Sequence, residues 1–140
     1  MTSSKSIPKL HHLIDGKPYE SKSSEWRDVI NPATQEVVAS VPFATQEELD
    51  MAVASAKKAF KTWRNVSLSN RMRIMLKFQQ LIRDNVAPLA ELITREHGKT
   101  LPDAEGEISR GLEVVEHACS ITSLQLGDMA ENAATGVEVF

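Results

Sequence analysis

Cys119 is the only thiol of this chain, which makes it the first candidate for a nucleophile in covalent catalysis. A reactive thiol requires an electropositive, accessible environment. The sequence instead places Cys119 inside a predicted helix, on the apolar stripe between Val115 and Thr122, and His117 lies about 200° around that helix. The pattern therefore favours a buried structural cysteine over a nucleophile. A single cysteine also excludes an internal disulfide and indicates a reducing compartment.

The four histidines of the chain are His11, His12, His97 and His117. His11 and His12 are adjacent, but no cysteine or carboxylate follows at a ligand spacing, so a metal site there is disfavoured. His97 falls at a predicted helix end, where an imidazolium interacts favourably with the helix dipole. A structural role is therefore favoured for His97.

Acidic residues cluster at Asp103, Glu105 and Glu107, where paired carboxylates could act as acid and base. Carboxylates in the first turns of a helix also stabilise it without any catalytic duty, and that interpretation is favoured. No glycine-rich loop follows a predicted strand, so neither a Walker A loop nor a dinucleotide-binding fingerprint is present. These residues alone predict no complete active site.

The composition of the chain limits which partners and which cellular compartment are expected. The chain has 140 residues, 41% hydrophobic and 25% charged, with a formal net charge of -3. These values are typical of a globular protein and argue against nucleic-acid or membrane-surface binding. No apolar stretch approaches the roughly 20 residues of a membrane span. Residues 1–12 lack a secretory core and an Arg-rich transit pattern, so we predict a cytoplasmic protein.

Two β-hairpins are predicted near the amino terminus, after a disordered leader over residues 1–9. Asp15-Gly16 stands between short apolar stretches and predicts a two-residue turn. A second hairpin is predicted from alternation over residues 26–30 and 36–41, with Asn31 to Gln35 as its turn. Residues 10–140 are expected to form one truncated domain.

Apolar residues spaced by three and four predict about four helices. The first begins with a capping box at Thr45 and Glu48, and the second begins near Ser67 or Ser69. The third runs from about residue 85 to His97, and the fourth from residue 100 to about residue 127. Residues 135–140 alternate like a strand that continues without a stop signal.

The order of four segments resembles the aldehyde dehydrogenase superfamily. The segments are Ile14–Lys17, Val29–Val37, Ala52–Trp63 and Glu96–Leu101. Residues 99–107 and 110–124 resemble the methylmalonate-semialdehyde dehydrogenase subfamily in particular. Other aldehyde dehydrogenases carry aromatic residues near the positions of His117 and Ala118.

The resemblance implies the fold and the reaction. The expected fold is α/β: the amino-terminal part of an aldehyde dehydrogenase, with two hairpins and about four helices covering the NAD-binding sheet. The expected enzyme is a homo-oligomer that uses NAD and coenzyme A. It converts methylmalonate or malonate semialdehyde to propionyl-CoA or acetyl-CoA and CO2, in valine, pyrimidine or inositol catabolism. Such chemistry uses a cysteine thiolate and an oxyanion hole.

The sequence departs from the family pattern because the nucleophilic cysteine and the glycine-rich cofactor segment lie beyond the equivalent of Phe140. Cys119 aligns with a helix position, so no catalytic or NAD-contacting residue is assigned. The chain alone is expected to be inactive and to bind neither cofactor. Its partner would be the remainder of the dehydrogenase chain.

Two further expectations follow from the resemblance. A structural monovalent cation would lie between a carbonyl near Ile30 and an acidic group near Glu107. The alternative function, permitted by the amphipathic helices, is a stand-alone helical interaction module that binds full-length dehydrogenase subunits.

Overall fold

The first hairpin forms where the sequence predicts it. A computed structural model describes residues 6–140, so residues 1–5 of the predicted leader lie outside the described residues. Strands β1 (His12–Ile14) and β2 (Lys17–Tyr19) pair antiparallel. The turn needs positive φ at both central positions, and Asp15 and Gly16 adopt 54° and 71°.

The second hairpin joins β3 (Trp26–Ile30) to β4 (Val37–Pro42), again antiparallel. Its turn is stabilised by Asn31, whose side-chain oxygen accepts from the backbone N–H of Ala33 at 2.9 Å. On the other edge of β4, the Ser40 N–H donates to the Pro8 carbonyl at 3.0 Å and the Leu10 N–H donates to the Ser40 carbonyl at 2.9 Å. The segment before β1 therefore pairs with β4.

Four helices follow the predicted starts, and their bounds are α1 (Gln46–Trp63), α2 (Leu68–Asp84), α3 (Val86–His97) and α4 (Leu101–Ala118). Thr45 and Glu48 form the predicted capping box at α1. Ser67 caps α2 through the Asn70 N–H. Gly98 follows α3 with a φ of 78°, as expected of a glycine just past a helix end.

The prediction that the fourth helix runs to about residue 127 is wrong, because α4 ends at Ala118. The Ser120 hydroxyl donates to the His117 carbonyl at 2.7 Å, and the Ser120 N–H donates to the same oxygen at 3.0 Å. A serine side chain that competes for a helix carbonyl favours termination. A separate short helix, α5 (Ile121–Leu124), follows, so Cys119 lies just past α4 and not in mid-helix.

The predicted final strand belongs to a third hairpin, β5 (Ala130–Ala134) and β6 (Val137–Val139). Gly136 supplies the positive φ of its turn, 76°. The sequence gives little signal for β5, since its residues include no β-branched or aromatic side chain.

The described residues divide into two compact units. The first contains residues 6–65 and 87–106, and the second contains residues 66–86 and 107–140. The buried apolar residues of the first unit are Val38 and Ala39 on β4, Ala90 on α3, and Ala104 on α4. Arg95 of α3 donates to the Val38 carbonyl at 3.2 Å. Within the described range, no helix has the length and apolar character required to cross a membrane.

Candidate functional site

The carboxylate of Glu48, in the first turn of α1, is held by hydrogen bonds from three residues. It accepts from the backbone N–H groups of Thr45 at 2.9 Å and Lys22 at 2.8 Å. The Ser21 hydroxyl lies within hydrogen-bonding distance of both carboxylate oxygens, at 2.9 and 3.0 Å. Glu48 is only 3% exposed, so these donors replace water around the charge.

These donors keep Glu48 ionised. The Thr45 N–H is the largest cause that lowers the pKa of Glu48 below its ordinary value, and the Lys22 N–H follows; burial acts in the opposite direction. Because the carboxylate joins the start of α1 to the segment after β2, its role is to position these elements.

His12 completes this cluster. Its Nε2 lies 3.6 Å from Oε2 of Glu48. This nitrogen is buried and has no hydrogen-bond partner among the described residues. From the sequence, His12 is a candidate only together with His11, as a metal ligand. Its contact with Glu48 is not predicted. The capping-box pattern identifies Glu48 as a first-turn residue, but it carries no signal for contacts with residues 12, 21 and 22.

A second carboxylate cluster lies in the second unit. Glu116 of α4 accepts from Arg83 and, at 3.0 Å, from Gln79, both on α2. Arg83 is the largest cause that lowers the pKa of Glu116, and Gln79 is the next. Glu116 is 38% exposed and Arg83 is 53% exposed, so we interpret this pair as a solvated link between helices.

A cleft of about 500 Å³ lies between the first hairpin and α1. Its lining combines apolar side chains such as Ile14 and Met51 with Tyr19, Lys17 and Lys58. The cleft is open to solvent, and its polar lining includes Asp15 and Ser55, whose side chains approach to 3.5 Å.

The residues of a second cleft, of about 370 Å³, include Asn31, Thr94, Gly98 and Lys99. Glycines in a dinucleotide site leave room for a phosphate to approach the backbone. At Gly98 a Cβ would lie 2.7 Å from Cγ of Pro32, so this glycine makes room for a proline. The space beside Gly98 is therefore occupied by Pro32 and is not open to a phosphate group.

The remaining candidates are separate from these clusters. Cys119 is half-buried, in the turn after α4. No group of three or more His, Cys, Asp or Glu in the described part of the chain could hold a metal ion. Ile30 is the last residue of β3, and Glu107 is an exposed residue of α4. The monovalent cation at these two residues stays a prediction.

Comparison with known proteins identifies the class. Residues 19–139 match the aldehyde dehydrogenase family. A crystal structure from Sinorhizobium meliloti, described as a methylmalonate-semialdehyde dehydrogenase complexed with NAD, superposes with a TM-score of 0.86 at 41% identity, over 96% of this chain and 28% of that one. The chain belongs to the aldehyde dehydrogenase family, which confirms the predicted superfamily and fold class.

Within this family, two similar relatives are named as methylmalonate-semialdehyde dehydrogenases. The chain is 54% identical over 133 residues to an Arabidopsis thaliana methylmalonate-semialdehyde dehydrogenase, covering 95% of this chain and 22% of the relative. It is 50% identical over 138 residues to a Mus musculus methylmalonate-semialdehyde/malonate-semialdehyde dehydrogenase, covering 99% and 26%. The chain thus spans about a quarter of the length of these relatives. Both are named acylating and mitochondrial; the cytoplasmic location of this chain stays a prediction.

Proposed function

We propose that this chain is the amino-terminal part of an NAD-dependent, CoA-acylating methylmalonate-semialdehyde dehydrogenase. The observation that carries the proposal is the match to the mouse relative, 50% identical over 138 of the 140 residues. Similarity over nearly the whole chain supports a shared role for the hairpins and the helices, and not one borrowed motif.

The proposed reaction converts methylmalonate or malonate semialdehyde, coenzyme A and NAD to propionyl-CoA or acetyl-CoA, CO2 and NADH. NAD would supply the hydride acceptor. The nucleophile and the cofactor site are proposed to lie in the remainder of the enzyme, so this chain alone is proposed to be inactive and to bind neither cofactor.

The role proposed for these residues is structural support of the NAD-binding sheet. Large apolar side chains are exposed on α1, among them Leu49 at 51% and Phe60 at 57%. Helices with exposed apolar faces cover sheets in α/β enzymes. The proposal includes a homo-oligomeric enzyme without nucleic-acid or membrane partners, and a structural monovalent cation near Ile30 and Glu107.

The test compares two purified proteins: the 140-residue chain and the same chain continued by the remainder of the enzyme. NADH formation is measured with malonate semialdehyde, coenzyme A and NAD. We expect activity from the longer protein and none from the 140 residues. The longer protein with its nucleophilic cysteine replaced by alanine is the control for background reduction. NADH production by the 140-residue chain would overturn the assignment of the chemistry to the remainder.

A helical interaction module is the second candidate. The observation in its favour is an apolar groove on α2, lined by Ile74, Phe78 and Leu81, which are 52%, 48% and 51% exposed. A module of this kind would bind full-length dehydrogenase subunits supplied in trans. We expect no retention of full-length subunits by the immobilised chain at micromolar concentration, and retention would favour the module.

A further inference from the structure

The first hairpin contacts α1 through few groups. Alternation along β1 half-buries His12 and Ile14 and exposes Leu13, at 75%. On β2, Tyr19 is half-buried opposite His12. Near the turn, Asp15 contacts Ser55 of α1 at 3.5 Å, the limit of a hydrogen bond. Because a two-stranded hairpin is marginal by itself, each docking contact carries a large share of its order.

The His12 contact differs from the others in its charge. Both oxygens of Glu48 are already held by N–H and O–H donors, which fixes a negative charge beside the ring. The ring is 24% exposed, and its buried Nε2 points to no other acceptor in the described structure. A protonated ring places N–H and positive charge against this carboxylate. A neutral His12 ring either donates an N–H to the carboxylate without a positive charge, or directs a nitrogen lone pair at the carboxylate.

We propose that His12 and Glu48 form a pH-dependent clasp, which holds the first hairpin on α1 when His12 is protonated and loosens it when His12 is neutral. The expected consequence is more frequent opening of residues 12–19 as the pH rises.

Other charged groups of the two elements do not replace Glu48. Asp15 and Lys17 on the hairpin, and Lys58 on α1, line the cleft at the turn end. Tyr19 pairs with His12 across the hairpin. In the described part of the chain, Glu48 is the charged partner found within 4.0 Å of the His12 ring, at 3.6 Å.

Hydrogen–deuterium exchange in the complete protein that carries this chain tests the clasp. Exchange of residues 12–19 is compared at about pH 6 and about pH 8, after correction for the intrinsic pH dependence of exchange. For the wild type we expect the corrected exchange to be about two- to fivefold slower at the lower pH. For His12→Asn we expect the same exchange at both values.

The neighbouring exposed His11 provides the matched control, since His11→Asn should retain the full wild-type pH dependence. Glu48→Gln should lose the pH dependence of exchange, as His12→Asn does. If Glu48→Gln fails to fold, the comparison of His12→Asn with His11→Asn still tests the clasp. The clasp is overturned if wild-type exchange is the same at both values. It is equally overturned if His12→Asn keeps the pH dependence or His11→Asn abolishes it.

Discussion

At the scale of single residues, Gly98 shows how one backbone conformation sets a packing contact. Its φ of 78° ends α3, and the absence of a side chain lets Pro32, in the turn after β3, approach its backbone. An added Cβ would lie 2.7 Å from Cγ of Pro32. The glycine is therefore required twice, for conformation and for space.

Gly98→Ala is expected to destabilise the protein by about 1–3 kcal/mol, because strain at positive φ and the clash with Pro32 add. Gly111→Ala is the matched control. Gly111 lies inside α4, where an added Cβ meets nothing within 4 Å in the described structure. Alanine there should stabilise by up to about 1 kcal/mol. Urea unfolding of the complete protein measures both, and equal effects would contradict the packing argument.

The ionisation of Glu48 predicts that the stability of the protein depends on pH in the acidic range. Its folded-state pKa is lowered from 4.5 by the Thr45 and Lys22 N–H groups. A carboxylate of this kind contributes stability above its unfolded-state pKa, and the contribution is lost as the pH falls through the lowered value. Glu48→Gln should therefore destabilise the protein at about pH 7 and differ less from the wild type at about pH 3.

The control for this prediction is Glu47→Gln, on the adjacent exposed residue of α1. It should change the unfolding midpoint little at either pH, since exposed charges contribute little. The stability difference between Glu48→Gln and the wild type could instead stay constant from neutral to acidic pH. That result would show that the shape of the side chain, and not its ionisation, determines the effect.

At the scale of elements, local signals determined what could be predicted. The Asp15-Gly16 turn and the end of α3 at Gly98 each depend on a few neighbouring residues. Both formed as expected. The end of α4 was missed because Ser120 takes the His117 carbonyl, a competition that apolar periodicity does not detect. The contacts of Glu48 beyond the capping box were missed because their donors, Lys22 and Ser21, lie 26 and 27 residues away in sequence.

The start of α1 gives a prediction at this scale. Thr45 accepts from the Glu48 N–H at 3.2 Å while its own N–H donates to the Glu48 carboxylate. Thr45→Ala removes the first bond and should cost about 1 kcal/mol, with fraying confined to the first turn of α1. Thr45→Ser keeps the hydroxyl and should lie within a few tenths of a kcal/mol of the wild type. Chemical denaturation gives both values, and equal losses would exclude the cap as the cause.

At the scale of the whole molecule, many large apolar side chains are exposed to solvent. Among the described residues, the buried apolar side chains are a valine and three alanines, and no large side chain is fully buried. Large apolar residues are exposed in both units, including Phe60 at 57%, Val114 at 70% and Leu126 at 79%. Monomeric proteins rarely leave this much apolar surface in water. The spacing of the apolar residues indicates helices with apolar faces, but it does not identify what those faces cover.

The chain in isolation is therefore expected to be partly folded or self-associating. Purified alone, it should bind a hydrophobic dye, elute as a broad or enlarged species, and unfold without a sharp transition. Joined to the remainder of the enzyme, the same residues should lose the dye signal and unfold cooperatively, because the apolar faces of α1 and α2 become buried. An amide spectrum with well-dispersed signals and a two-state melt for the isolated 140 residues would contradict this expectation. In that case the hairpins and the small core around Ala90 and Ala104 would suffice for folding.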